Sequence, residues 1–223
     1  MSDLFRRVET FNGHIELWDV SNVKNMDYMF EHTSFNRDIS EWDVSNVTTM
    51  SFMFSDSAFN GDISKWDVSN VITMDRMFSH SKFTGENGDI TGWDVSNVKD
   101  MSFMFSHTNF NQPIGKWDIH NVRDISGMFG KTNYFNQDIS DWDIRNITYM
   151  STLFYCAKSF NKDLSKWDVR NVEEMNYMFY FAESFNQDLS KWKIKKTCKT
   201  EEIFTNCHIK EEYKPKMLKK LKL

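Results

Sequence analysis

The eight tryptophans of the chain stand at positions 18, 42, 66, 93, 117, 142, 167 and 192, with spacings of 24, 24, 27, 24, 25, 25 and 25 residues. Twelve residues after each tryptophan comes a phenylalanine, from Phe30 and Phe54 through to Phe204. All the variation in length falls between that phenylalanine and the next tryptophan. A fixed segment joined by a variable one marks a rigid unit repeated along the chain, and a period of this length defines a solenoid. One unit alone cannot bury enough apolar surface to offset the entropy of ordering it, so the units must stack on one another.

The second unit shows the pattern within the repeat. Ile39, Trp42 and Val44 are apolar, and Trp42 and Val44 alternate with Asp43 and Ser45. That is the period of a short strand with one buried face. Val47, Met50, Met53 and Phe54 then follow at i, i+3, i+6 and i+7, which predicts one face of a short helix capped by Ser45-Asn46. Twelve of the fourteen methionines occupy the two Met registers of this segment, where they read as core filler and less readily as a Met-rich binding groove.

The order of elements resembles leucine-rich repeats. In detail the recurring Phe-Asn-x-Asp-Ile-Ser-x-Trp-Asp-Val-Ser-Asn-Val-x-x-Met-x-x-Met-Phe is similar to the BspA-like surface-protein repeat of bacterial surface proteins, mycoplasma lipoproteins and large DNA viruses. The resemblance implies an α/β repeat fold: a right-handed leucine-rich-repeat-like solenoid with one short parallel strand and one short helix per coil. It also implies an adhesin or interaction protein. The expected organisation is an eight-repeat solenoid over residues 1–206, starting in a half-repeat, with a basic tail over residues 207–223.

Charge is unevenly placed. Residues 193–223 hold ten Lys against four Glu, which out of a total of −5 leaves −11 on residues 1–192. An acidic body argues against nucleic acid as a partner, despite the basic tail. No stretch approaches the length of a membrane span, and Met1-Ser2-Asp3-Leu4-Phe5-Arg6-Arg7 has no apolar leader region. Three cysteines, Cys156, Cys198 and Cys207, fit reduced thiols better than a disulfide framework or a zinc site. These features point to a cytoplasmic or virion-associated protein with no metal or cofactor.

An Asp follows seven of the tryptophans, from Asp19 and Asp43 to Asp168. Such a row either turns inward on backbone amides or binds cations or a basic ligand. Two residues beyond the Asp the chain reads Ser21, Ser45, Ser69, Ser96, His120, Arg145, Arg170 and Lys195. The later part of this column, with its Asp neighbours, gives the candidate partner-binding residues Asp118, His120, Asp143, Arg145, Asp168, Arg170 and Lys195. Plain salt bridging is the alternative use of the same groups. His32, His80 and His107 share a register after the expected helix, although only the last two lie in adjacent units. The catalytic fingerprints sought, among them a nucleophile elbow, a zinc-protease motif and a phosphate loop, are missing, and every acid recurs in every unit. A ladder supplies near-identical environments, whereas acid–base chemistry needs different ones. The expected function is therefore a non-enzymatic scaffold for a protein partner. The alternative is a self-assembling structural protein, with Leu4 and Phe5 at the contact of an N-terminal homodimer.

Overall fold

A computed structural model describes residues 1–219, and the end of the basic tail, 220–223, lies outside them. Each coil is counted here from its tryptophan, so Trp18 opens coil 1 and Trp192 opens coil 8. The tryptophans from Trp42 onward are buried, with 3–5% of their surface exposed. Each indole N–H donates to a carbonyl just before the preceding tryptophan: Trp42 Nε1 to Ile15 O, Trp66 to Ile39, Trp117 to Ile90 and Trp192 to Leu164, at 2.9–3.3 Å. Stacking one coil on the last thus satisfies the polar atom that burial would otherwise orphan.

Beside the tryptophans run two columns of phenylalanine. Phe30, Phe54, Phe78, Phe105, Phe129, Phe154, Phe179 and Phe204 stack at centroid distances of 5.4–6.3 Å. Phe11, Phe35, Phe59, Phe83, Phe110, Phe135, Phe160 and Phe185 stack at 5.9–6.5 Å. Offset parallel rings at this spacing are favourable beyond the area they bury. Methionines such as Met50 and Met53 fill the space between them and are fully buried.

The backbone around this core overturns the expected leucine-rich-repeat-like α/β class. Among the described residues there is no α-helix, and the regular helical pieces are four 3₁₀ turns: Ile114–Lys116, Val169–Asn171, Glu211–Tyr213 and Lys216–Leu218. The segment expected to be helical, Val47 to Phe54, runs into a succession of tight turns. Met53 N donates to Met50 O, Ser55 N to Phe52 O and Ser57 N to Phe54 O. Phe52 and Asp56 sit in the left-handed region, at φ 57° and 53°, and no right-handed helix passes through such residues. Their amides point along the solenoid axis: Phe52 N donates to Asp75 O and Asp56 N to Ser79 O, both at 2.8 Å. A turn series and a helix both return an apolar residue every three or four positions. The periodicity was therefore real, but its cause was not a helix.

The expected strand is displaced in a similar way. The parallel pairing is a set of single bridges in one register, from Asn25 with Thr49 to Glu174 with Lys199. It lies beyond the Ser-Asn pair and not at Trp-Asp-Val. There, side chains make the contacts between coils: Asn46 Nδ2 donates to Ser21 O, Asn70 to Ser45 O and Asn171 to Arg145 O, at 2.7–2.9 Å. Ser45-Asn46 caps nothing; Val47 N closes a turn onto Val44 O at 2.8 Å. A second Asn column works from the other corner, where Asn36 Oδ1 accepts from Asn60 N and Asn136 Oδ1 from Asn161 N.

Seventeen non-glycine residues among those described have positive φ, in two registers two and six residues after the first Met of the turn segment. Each costs about 1–2 kcal/mol relative to the right-handed form. From Asp3 to Phe181 every one of these amides donates to the next coil, which is what holds them there. The half-repeat at the start takes part: Asp3, Phe5 and Arg7 donate to Asp27, Met29 and Glu31, and the Phe5 ring stacks on Phe11 at 3.6 Å. At the other end, residues 207–219 pack back on the chain just before Trp192, with Ile209 buried, Lys210 N donating to Asn186 Oδ1 and Tyr213 O accepting from Leu189 N.

Two stability predictions follow from the core and the turns. Trp117→Ala should lower unfolding free energy by about 3–5 kcal/mol, since it opens a cavity and frees the Ile90 carbonyl. A loss below about 1 kcal/mol in urea unfolding would contradict the buried column. Gly127 has φ +60°, and a Cβ there would stand 2.3 Å from the Phe103 ring, whereas Gly92 has nothing within 4 Å. Gly127→Ala should therefore destabilise by about 2–4 kcal/mol and Gly92→Ala by much less; equal effects would show that the close approach is absent.

Candidate functional site

The residues proposed from the sequence fall on the Trp-Asp face, where the structure pairs them within each coil. Asp43 Oδ1 accepts from the amide and the hydroxyl of Ser45, at 3.1 and 2.6 Å. In the later coils the base replaces the hydroxyl. His120 Nδ1 lies 2.8 Å from Asp118 Oδ1. Arg145 chelates Asp143 at 2.8 and 2.7 Å, and Arg170 chelates Asp168 at 2.8 and 2.5 Å. Lys195 reaches Asn171 O at 3.2 Å and Glu173 at 3.7 Å. The hydrogen bond from Arg145 holds the Asp143 carboxyl at about 2, well below its usual range. These groups meet in neighbouring pairs and do not converge on a common point. At the N-terminal end Leu4 is 48% exposed, while Phe5 is partly covered by Phe11 and Phe30.

The turn side of the solenoid is different. Its inward positions repeat, but its outward positions change from coil to coil. At the first left-handed register Tyr28, Phe52, Arg76 and Phe103 form one pile, with Arg6 from the half-repeat over its end: the Arg6 guanidinium lies 4.1 Å from Tyr28, the Tyr28 and Phe52 rings stack at 4.6 Å, and the Arg76 guanidinium lies 5.1 Å from Phe52 and 4.4 Å from Phe103. The pile ends at Gly127, which the Phe103 ring covers. At the second left-handed register stand His32, Asp56, His80, His107, Lys131, Cys156 and Phe181. The shared register of His32, His80 and His107 is a backbone preference, since His, Asp and Asn tolerate this conformation best. Among the described residues no group of three or more His, Cys, Asp or Glu is arranged to hold a metal ion.

Between these two registers lies a column of small residues, Ser55, Ser79, Ser106 and Gly130, that becomes Tyr155 and Tyr180 in coils 6 and 7. The two tyrosine rings stack at 5.3 Å with planes 3° apart. In coil 5 the position is empty, because Gly127 and Gly130 both lack a side chain. A recess of about 180 Å³ opens there, lined by Phe103, His107, Gly130, Lys131, Thr152 and Tyr155. Its walls are mostly carbon, and the Lys131 ammonium lies 5.9 Å from the Tyr155 ring centroid. Sequence reasoning missed this site. The signal that marks it is Gly127-Met128-Phe129-Gly130, the one unit with glycine at both of these positions.

His107 forms one rim of the recess and stacks on His80 at 3.7 Å. Burial, then the neighbouring His80 and Lys131, lowers its pKa to about 4. Cys198 and Cys207 are pushed up to about 11 by burial, and all three thiols are unpaired. No helix among the described residues is long and apolar enough to cross a membrane.

A solenoid of stacked turns around a double aromatic column defines a repeat protein whose units share one buried framework. The chain matches the family described as "Mycoplasma protein of unknown function, DUF285" over residues 1–109, 80–173 and 104–215, and it belongs to that family. No curated protein and no solved structure matches it.

Because the folded pKa of His107 lies below the value of a free imidazole, its linkage runs opposite to that of a paired histidine. Its contribution to stability is complete above about pH 6.5 and is lost as pH falls toward 4. A histidine-resolved NMR titration should find His107 neutral at pH 6. A midpoint at or above that of a free imidazole would contradict the stacked placement on His80 beside Lys131.

Proposed function

We propose that the protein is a non-enzymatic scaffold that presents the turn face of its later coils to a protein partner. One observation supports this above the others. The same series of turns recurs from coil to coil, yet one position in it changes from the buried Ser106 and Gly130 to the half-buried Tyr155. Structural demand fixes the inward columns, and nothing in the packing asks for tyrosine at 155 and 180. The resemblance to BspA-like surface repeats supports the same reading. So does the charge pairing on the opposite face, where a ligand of Asp143 or Asp168 would first have to displace Arg145 or Arg170. That face, with Asp118, His120 and Lys195, serves best as a solubilising surface or a secondary contact. The three free thiols favour a reducing, cytoplasm-like compartment or the interior of a virion.

Selection of random displayed peptides on the immobilised protein tests the proposal. Enriched peptides should lose binding to a Tyr155→Ala, Tyr180→Ala variant and keep it on Arg145→Ser, Arg170→Ser. Failure to enrich any peptide, or equal binding to both variants, would count against the turn face.

Self-assembly through the N-terminal end is the second reading, motivated by exposed apolar groups: Leu17 is 99% exposed, Leu4 48% and Trp18 38%. Sedimentation at low and high salt should then show a dimer that survives salt and is dissolved by Leu4→Asp. A monomer at both would leave only the scaffold.

A further inference from the structure

We infer that the recess in coil 5 receives one aromatic side chain of an acidic segment of the partner, an inference that rests on the scaffold reading above. Along the solenoid axis Tyr28 lies face to face with Phe52 and Tyr155 with Tyr180, so each ring covers one face of its partner. A free aromatic face occurs where a column is interrupted. Tyr155 offers such a face: Tyr180 stacks on one side of it, and on the other Gly130 supplies no side chain, so that the Lys131 ammonium, 5.9 Å from the ring centroid, is the group that stands over it.

A ring entering there would stand where a side chain of residue 130 would stand, and would extend the Tyr155–Tyr180 stack toward Phe103. The recess, at about 180 Å³, is large enough. A cavity of about 150 Å³ already admits benzene. The walls are mostly carbon, which suits a phenyl ring better than a sugar or a charged group. Gly127 lets the Phe103 ring, one of the walls, lie where it does, because a Cβ there would collide with it.

Charge sets the rest of the ligand. Lys131 is held at the rim by its left-handed backbone, φ 56°, and among the described residues it forms no ion pair, in contrast to Arg145 and Arg170. A carboxylate flanking the inserted ring would meet that ammonium, so the favoured segment is an aromatic residue next to Asp or Glu.

The test is an NMR titration of the whole labelled protein with an acetylated, amidated Asp-Phe-Asp peptide, and with Asp-Leu-Asp and benzoate as comparisons. Shifts should concentrate at Gly127, Gly130, Lys131 and Thr152, and the leucine peptide should bind at least about tenfold more weakly. Lys131→Asn, which keeps a residue suited to positive φ, should weaken binding several-fold and remove its salt dependence. Gly130→Tyr restores the residue found in the next two coils and should abolish binding. Tyr155→Ala removes the free face without adding bulk and should do the same, which covers the case in which Gly130→Tyr does not fold. Shifts elsewhere, equal binding of the leucine peptide, or benzoate binding without peptide binding would overturn the inference. Displayed peptides that need Tyr155 and Tyr180 but carry no aromatic residue would defeat the recess alone and leave the scaffold standing. A selection that yields no turn-face peptide would defeat the scaffold itself.

Discussion

The structure depends on amide groups of one coil finding carbonyls on the next. In the turn segment this is a strict requirement, because residues such as Phe52 and Asp56 hold a backbone that L-residues ordinarily avoid. Local turn bonds alone would not keep them there. The bonds from Phe52 to Asp75 and from Asp56 to Ser79 do, and the same two bonds recur along the stack. The aromatic columns are set by the same spacing: once the turns are locked together, Phe54 can only lie on Phe30 and Phe78. Stability is accordingly collective, and a coil has little of it without neighbours.

This collective character explains which parts of the fold the sequence discloses. Burial imposes residue type, so the Trp and Phe columns are legible from spacing alone. Conformation imposes residue type weakly. A left-handed position held by bonds between coils accepts Tyr28, Arg76 or Thr152 as well as Gly127, and an apolar repeat of three and four residues then reads as a helix. The signal that was present, His and Asp crowding one register at His32, Asp56, His80 and His107, was open to a backbone reading. The Asp row was legible in both of its alternatives, and the hydrogen bonds within Asp43–Ser45 and Asp143–Arg145 realise the structural one.

The site was harder to read because it is made by what is missing. Charged side chains such as Arg145 attract notice in a sequence, yet here the geometry ties them to their own coil. The recess owes its existence to two glycines in a unit that otherwise follows the repeat, and to rings contributed from the coils on either side. Its chemistry, a free ring face with a lysine at the rim, differs from the rest of the solenoid. A scaffold built this way can gain or lose a binding feature by substitution at outward turn positions, with no change to the columns that hold it up.

The most direct test is the detection of through-hydrogen-bond scalar couplings between backbone nitrogens and carbonyl carbons in deuterated protein. A stacked-turn solenoid predicts couplings from Phe52 N to the Asp75 carbonyl and from Thr152 N to the Asn176 carbonyl. Couplings from these amides to carbonyls four residues earlier in the chain would restore a helix in each coil and contradict the fold described here.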